Sequence, residues 1–189
     1  MHKLKIITST TRPGRKGPAV SEWVLEVSKQ FPDYETEILD LHTLALPLFD
    51  EPEHPRMRKY QHEHTHRWSR AIDEADAIII VTAEYNFGMP APLKNALDYL
   101  VHEWSSKPVA FVSYGGQSGG LRSVQMTKLV VTALKMMPIP EAVAIPFFTK
   151  YINEEGKFVA DESLNKSAQA MFTELLRWTA ALKPLRTKQ

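Results

Sequence analysis

The segment Thr82-Ala83-Glu84-Tyr85-Asn86-Phe87-Gly88-Met89-Pro90-Ala91-Pro92-Leu93-Lys94-Asn95-Ala96-Leu97-Asp98-Tyr99-Leu100 decides how the rest of the chain is read. It begins where a β-branched run, Ile78-Ile79-Ile80-Val81, stops. After Gly88 and Pro90 it enters a pattern with Leu93, Ala96, Leu97 and Leu100 on one helical face. Strand, turn and helix is the predicted order. Ligands of open α/β sheets bind in the crevice beyond the carboxyl ends of the strands, so Glu84 to Met89 is expected at such a mouth.

The run from Asp76 to Thr82 is apolar without alternation, as suits a central parallel strand covered on both faces. Upstream, Leu4 to Thr8 is a first strand, Ser9 to Pro18 a loop, and Val20, Trp23, Val24 and Val27 mark a helix entered at Pro18 and stopped by Pro32. Tyr34 to Leu41 is a second strand, residues 43–55 a proline-punctuated loop, and Arg56 to Ala75 a helix with Trp68 and Ile72 turned inward. Downstream, a strand from Pro108 ends at Gly115-Gly116, a helix spans Leu121 to Met137, a fifth strand Ala142 to Phe148, and a closing helix Leu164 to Leu182. Alternating strands and helices predict a doubly wound five-stranded parallel sheet in one α/β domain over residues 1–189.

With 23 Lys+Arg against 22 Asp+Glu, the formal net charge is +1 and gives no electrostatic case for a nucleic acid or an anionic membrane surface as partner. The absence of cysteine excludes disulfides, thiolate metal sites and a cysteine nucleophile, and suits a cytoplasmic location. A first strand so near Met1 leaves no room for a signal peptide. No apolar run reaches the ~18 residues of a membrane span.

Three of the expected strand ends carry chemistry. In the first loop, the hydroxyls of Ser9, Thr10 and Thr11, the Arg12 guanidinium and the amides from Gly14 to Gly17 lie just before a helix N-terminus, which is a combination suited to a phosphate dianion. Neither the Gly-x-Gly-x-x-Gly nor the P-loop pattern is present. In the second loop, Tyr85, Phe87 and the backbone around Asn86 offer a surface for a flat conjugated ring. The third, Ser113 to Gly120, offers unencumbered N–H groups for that ring's polar edge. A phosphate nest beside an aromatic shelf describes flavin mononucleotide (FMN).

Ser9 to Arg12, Glu84-Tyr85-Asn86 with Pro90 to Asp98, and Ser113-Tyr114-Gly115-Gly116 followed by Gly119-Gly120 together resemble the NADPH-dependent FMN reductase family, the flavodoxin-like quinone, azo and chromate reductases. The likeness is weakest at Leu41 to His66 and beyond Phe148. It implies a flavodoxin-like fold, bound FMN, NADPH or NADH as co-substrate, a small-molecule electron acceptor, and a homodimer or homotetramer. By matching position it implies that Ser9, Thr11 and Arg12 hold phosphate with Arg15, Lys16, Gly17 and Pro18 nearby. Glu84, Tyr85 and Asn86 would then line the isoalloxazine, and Ser113, Tyr114, Gly115 and Gly116 would meet its pyrimidine side. Ala83 and Phe87-Gly88-Met89 depart from the commoner family residues. The expected reaction is ping-pong hydride transfer from NAD(P)H to FMN and on to a quinone, azo compound, free flavin or similar acceptor. The chemistry resides on the flavin, and no side chain is expected as a catalytic acid or base.

Other readings compete. Gly116-Gln117-Ser118-Gly119-Gly120 satisfies Gly-x-Ser-x-Gly, but all seven histidines precede Ser118, against the Ser, acid, His order of that hydrolase fold. His54, His62, His64 and His66 invite a metal, yet lack cysteine or a second acidic cluster and read as a polar surface helix. An FMN-binding electron-transfer or redox-sensing module is the alternative from another class, although the near-neutral charge provides no acidic docking face.

Overall fold

The computed structural model describes residues 1–186; Thr187 to Gln189, included in the single-domain expectation, lie outside the described residues. Five strands, β1 (His2–Thr8), β2 (Tyr34–Asp40), β3 (Ala77–Ala83), β4 (Pro108–Tyr114) and β5 (Met137–Ile145), form one sheet in the order β2-β1-β3-β4-β5. Every neighbouring pair is parallel. β3 and β4 are buried at every position, as their unbroken apolar runs require.

Because successive strand side chains alternate in direction, the sheet feeds two cores. Leu4, Ile6, Ile79, Val81 and Val112 pack with Val20, Trp23 and Val24 of helix α1 (Gly17–Ser28). The long C-terminal helix adds Met171, Phe172 and Leu175 to that layer. Ile7, Ile78, Ile80 and Phe111 face the other way, onto Trp68 and Ile72 of a helix at Glu63–Asp73 and onto Leu93 and Leu97 of another at Ala91–Asp98. In chain order the remaining helices are α2 (Leu41–Leu44), α3 (Glu63–Asp73), α4 (Ala91–Asp98), α5 (Leu121–Ala133) and α6 (Glu162–Arg186).

Some expected boundaries move. The helix expected from Arg56 to Ala75 is only α3, preceded by a 3-10 turn at Pro55–Met57 and a left-handed Arg58 with φ 51°. The buried Glu51 carboxylate sets the later start by accepting the N–H groups of Gln61 and His62 at 2.7 and 3.1 Å. The helix expected to reach Met137 ends at Ala133, and left-handed Lys135 turns the chain into β5. β5 therefore runs from Met137 to Ile145, not from Ala142 to Phe148. Pro138 and Pro140 obscure this strand in the sequence, but on an edge a missing N–H breaks no ladder. The strand expected to reach Leu41 stops at Asp40, whose carboxylate caps α2 by accepting the His42 N–H at 3.0 Å.

Candidate functional site

The carboxyl ends of β1, β3 and β4 release three loops that meet around a cleft of about 220 Å³. Its walls are Arg12, Arg15, Lys16, Ala83, Glu84, Tyr85, Tyr114, Gly115, Gly116 and Phe148. The expected residues Ser9, Gly17 and Ser113 are buried beneath or behind these walls. Pro18 opens α1, Asn86 is exposed at a turn tip, and Thr11 faces away. A larger hollow of about 440 Å³ lies on the far side of Thr11, between Leu41, Leu46, Leu48, Ala91 and Pro92. The smaller cleft, where the Arg12 and Lys16 cations meet the carboxyl ends of three strands, is the candidate site.

The first loop is built around a buried strut. Arg15 gives Nη1 to the Thr10 carbonyl at 2.9 Å and pairs both Nη atoms with the Asp40 carboxylate at 2.7 Å each. Its guanidinium is thus held by protein groups, whereas exposed Arg12 reaches, among the described residues, only the Pro13 carbonyl, at 3.3 Å, and Lys16 is exposed at the N-cap of α1. Arg12 and Lys16 are therefore the cations placed to meet an anion. The Ser9 hydroxyl is fully buried and has no hydrogen-bond partner among the described residues. A buried hydroxyl left unsatisfied is costly, and a phosphate oxygen seated above it would satisfy it. A Cβ on Gly17 would lie 2.4 Å from Thr10 Oγ1 and 3.0 Å from Thr8 Cγ2, so the first turn of α1 approaches the loop more closely than any side chain allows. With the dipole and unpaired N–H groups of a helix N-terminus added, these residues fit a phosphate monoester.

The second loop is a two-residue reversal. Tyr85 and Gly88 exchange N–H···O bonds of 3.0 and 2.9 Å, and Asn86 and Phe87 between them have φ of 49° and 67°. That is the type I′ pattern, here without glycine at either central position. The N–H groups of Asn86 and Phe87 find no acceptor among the described residues.

In the third loop, Ser113 Oγ donates to the Gly119 carbonyl at 2.8 Å, so this hydroxyl braces the loop instead of facing the cleft. Gly120, at φ 87°, permits the close return, since a Cβ there would lie 2.8 Å from that of Ser113. Tyr114 is buried with its hydroxyl 3.4 Å from Thr10 Oγ1, its ring edge-on to Phe148 at 5.1 Å, and its pKa pushed up to about 12 by burial. Gly116 leaves open space where a side chain would project.

The Glu84 side chain turns toward α5. It accepts from Ser118 Oγ at 2.9 Å and from Arg122 N and Nε at 3.1 and 2.6 Å. Burial opposes its ionisation, but the bonds from Arg122 and Ser118 outweigh that and hold the carboxyl below its ordinary value. Ser118 thus serves Glu84, with no histidine partner to make it a nucleophile. Arg122 and Phe148 were missed in the sequence. An acid closing an apolar strand needs a nearby cation, and that requirement was the available signal for Arg122. The histidine segment does not converge: His62 and His64 stack at 5.1 Å and His64 Nε2 lies 2.9 Å from Asp50 Oδ1. No three metal-ligating side chains come together among the described residues. None of the helices among those residues is long and apolar enough to cross a membrane.

A parallel sheet of this order, with an anion nest and a ring-sized shelf at its switch point, defines the flavodoxin-like class. Its solved relatives include the NAD(P)H:(acceptor) oxidoreductase FerB of Paracoccus denitrificans, with TM-score 0.76 and 19% identity over 96% of this chain and 99% of that one. A model of the NADPH-dependent FMN reductase family matches residues 2–150. An NAD(P)H-dependent FMN reductase of Schizosaccharomyces pombe is 41% identical over 145 residues, 76% of this chain and 72% of that protein. The NAD(P)H-dependent FMN reductase ntnL of Nectria sp is 39% identical over 153 residues, 78% of this chain and 76% of that protein. An NADPH azoreductase of Bacillus sp. is 26% identical over 93% of the chain. The chain belongs to the NADPH-dependent FMN reductase family, a family of oxidoreductases whose chemistry runs on FMN and a nicotinamide nucleotide.

Proposed function

We propose that the protein is an FMN-dependent NAD(P)H oxidoreductase that passes reducing equivalents from NADPH or NADH to a quinone, azo compound, free flavin or similar small acceptor, in alternating half-reactions at one cleft. The observation that carries this reading is the buried Ser9 hydroxyl, without a hydrogen-bond partner among the described residues, in the loop that presents the Arg12 and Lys16 cations to the cleft. Bound FMN would supply the hydride-accepting and electron-donating chemistry. The protein's part is to hold and orient. Ser9, Arg12, Lys16 and the amides from Gly17 onward bind the phosphate, while Thr11, which the sequence suggests for the same role, lines the neighbouring hollow instead. Arg15 fixes the loop through Asp40. The Glu84 and Tyr85 backbone and the Tyr85 ring back the flavin ring; the Gly115 amide is spent on the Ile145 carbonyl at 3.2 Å, which leaves the Gly116 amide for the ring's polar edge. The open side of Gly116 leaves the approach free for a nicotinamide and then an acceptor.

The assembly we propose is a homodimer or homotetramer, supported by exposed Leu48, Phe49, Phe87, Met126 and Leu129, acting in the cytoplasm. The decisive experiment is the visible spectrum of protein reconstituted with FMN, before and after anaerobic NADPH. Flavin bands that bleach on addition, followed by steady NADPH oxidation with a quinone, are the expected result. Bleaching without turnover would instead support an electron-carrying or sensing module, and the absence of any flavin band would overturn the reading.

A further inference from the structure

Among the described residues Glu84 is the one carboxylate lining the cleft, its side chain is 7% exposed, and Arg122 closes on it with Nη2 at 2.5 Å in addition to Nε and the backbone N–H. The pair joins two walls: Glu84 leaves β3, whereas Ser118 and Arg122 belong to the turn and first helical residues after β4. Arg122 also covers the reversal beyond Glu84. Its guanidinium carbon stands 3.9 Å from the centre of the Phe87 ring. Phe87 and Asn86 both hold left-handed backbone that residues other than glycine keep only where their surroundings impose it. Met126, one turn further along α5, backs the same reversal, with Sδ 3.2 Å from where a Gly88 Cβ would project. One guanidinium therefore does two things: it fixes the turn at the tip of the second loop, and it neutralises the one carboxylate that lines the cleft among the described residues.

We propose that Glu84 and Arg122 act as a positioning pair that locks the second and third loops together and sets the charge balance of the cleft, so that Arg122 cancels a carboxylate which would otherwise oppose the negative charge a bound flavin takes up on reduction. This rests on the FMN reading above. Neither residue is assigned a catalytic step. A scaffolding role alone would move both single variants in the same direction; charge balance moves them in opposite directions.

The test is a double-mutant cycle on the reduction potential of bound FMN and on FMN affinity, using Arg122→Met, Glu84→Gln, the double variant, and Arg122→Lys as the charge-preserving control. Arg122→Met is expected to lower the potential and weaken FMN several-fold. Glu84→Gln should raise the potential, the double variant should lie between the two, and Arg122→Lys should restore most of the wild-type potential with less of the affinity. Shifts of one sign in both single variants, or no shift with wild-type affinity, would overturn the proposal while leaving the FMN reading intact. A wild-type protein that takes up no FMN would overturn that reading first. Arg122 is half exposed; if Glu84→Gln fails to fold, the contrast between Arg122→Met and Arg122→Lys decides the matter, a lowered potential in the first alone supporting charge balance and the same shift in both overturning it.

Discussion

Gly17 has no room for a side chain. Substituting alanine would drive its Cβ into Thr10 Oγ1, and we expect Gly17→Ala to cost about 1–3 kcal/mol and to displace the phosphate loop, seen as weaker FMN binding beside a lower denaturation midpoint. Arg12→Ala removes an exposed cation with only a backbone contact of its own, so stability should hold while FMN affinity falls by about 1.5–3 kcal/mol; unchanged affinity by fluorescence titration would dismiss Arg12 as a phosphate ligand. Far from the cleft, Lys107 is 2% exposed, and its Nζ donates to the Ile72 and Asp73 carbonyls. Burial, with Arg186 adding to it, pushes its pKa from 10.5 down to about 7. Below about 7 both states carry the charge and the folded state bears the full penalty. Between there and 10.5 only the unfolded chain holds the proton, so stability rises with pH. Urea unfolding at successive pH values should show wild type gaining on Lys107→Met across that window, and a constant difference would rule the charge out. At this scale the sequence showed which residues gather at the mouth but not which way they point. Arg15 is consumed by Asp40, Ser113 by its own loop, and Glu84 by a helix that begins at Leu121. Each partner is set by tertiary geometry that spacing along the chain does not encode.

The strands were legible because parallel, doubly covered strands write themselves as apolar runs, and β1, β3 and β4 begin and end close to where hydropathy places them. Elements governed by capping and edge position were less so. α3 waits for the buried Glu51 carboxylate to cap it, and β5 tolerates two prolines because it lies on an edge. The extent of α6, four residues past the expected Leu182, has a similar long-range cause. Lys183 Nζ and Arg186 Nη2 reach the Asp76 carboxylate at 2.8 and 2.6 Å, and the same group accepts the Lys3 N–H at 2.9 Å. Burial opposes ionisation of Asp76, but these donors outweigh it and lower its pKa from 3.8. The stability it contributes is therefore present above the ordinary carboxylate range and lost as pH falls through the lower folded value. Asp76→Asn should destabilise by about 1.5–3 kcal/mol at neutral pH, with the difference from wild type shrinking on acidification. A deficit that stays constant with pH would assign the effect to packing.

The whole molecule couples cofactor and fold. FMN bound at about one hundred times its dissociation constant should add about 2.7 kcal/mol, and for a domain of this size that corresponds to a rise of about 5–10 °C in the thermal midpoint. Arg12→Ala should abolish most of that rise at the same FMN concentration, in a scan that needs no turnover. Light scattering on the same samples gives the mass, and a monomer would remove the proposed assembly. The sheet order has a further consequence, for synthesis. β1 lies between β2 and β3, yet β3 is made long after β2. At ribosomal speeds the stretch from Asp40 to Ala83 takes roughly 2–9 s to emerge, during which one edge of β1 stays open with Leu4, Ile6 and Ile7 along it. Lys3 carries the charge that interrupts this edge before its partner Glu74 emerges, and such punctuation disfavours pairing with a neighbour on the same message, whereas Lys5 is already taken by Glu37 of β2.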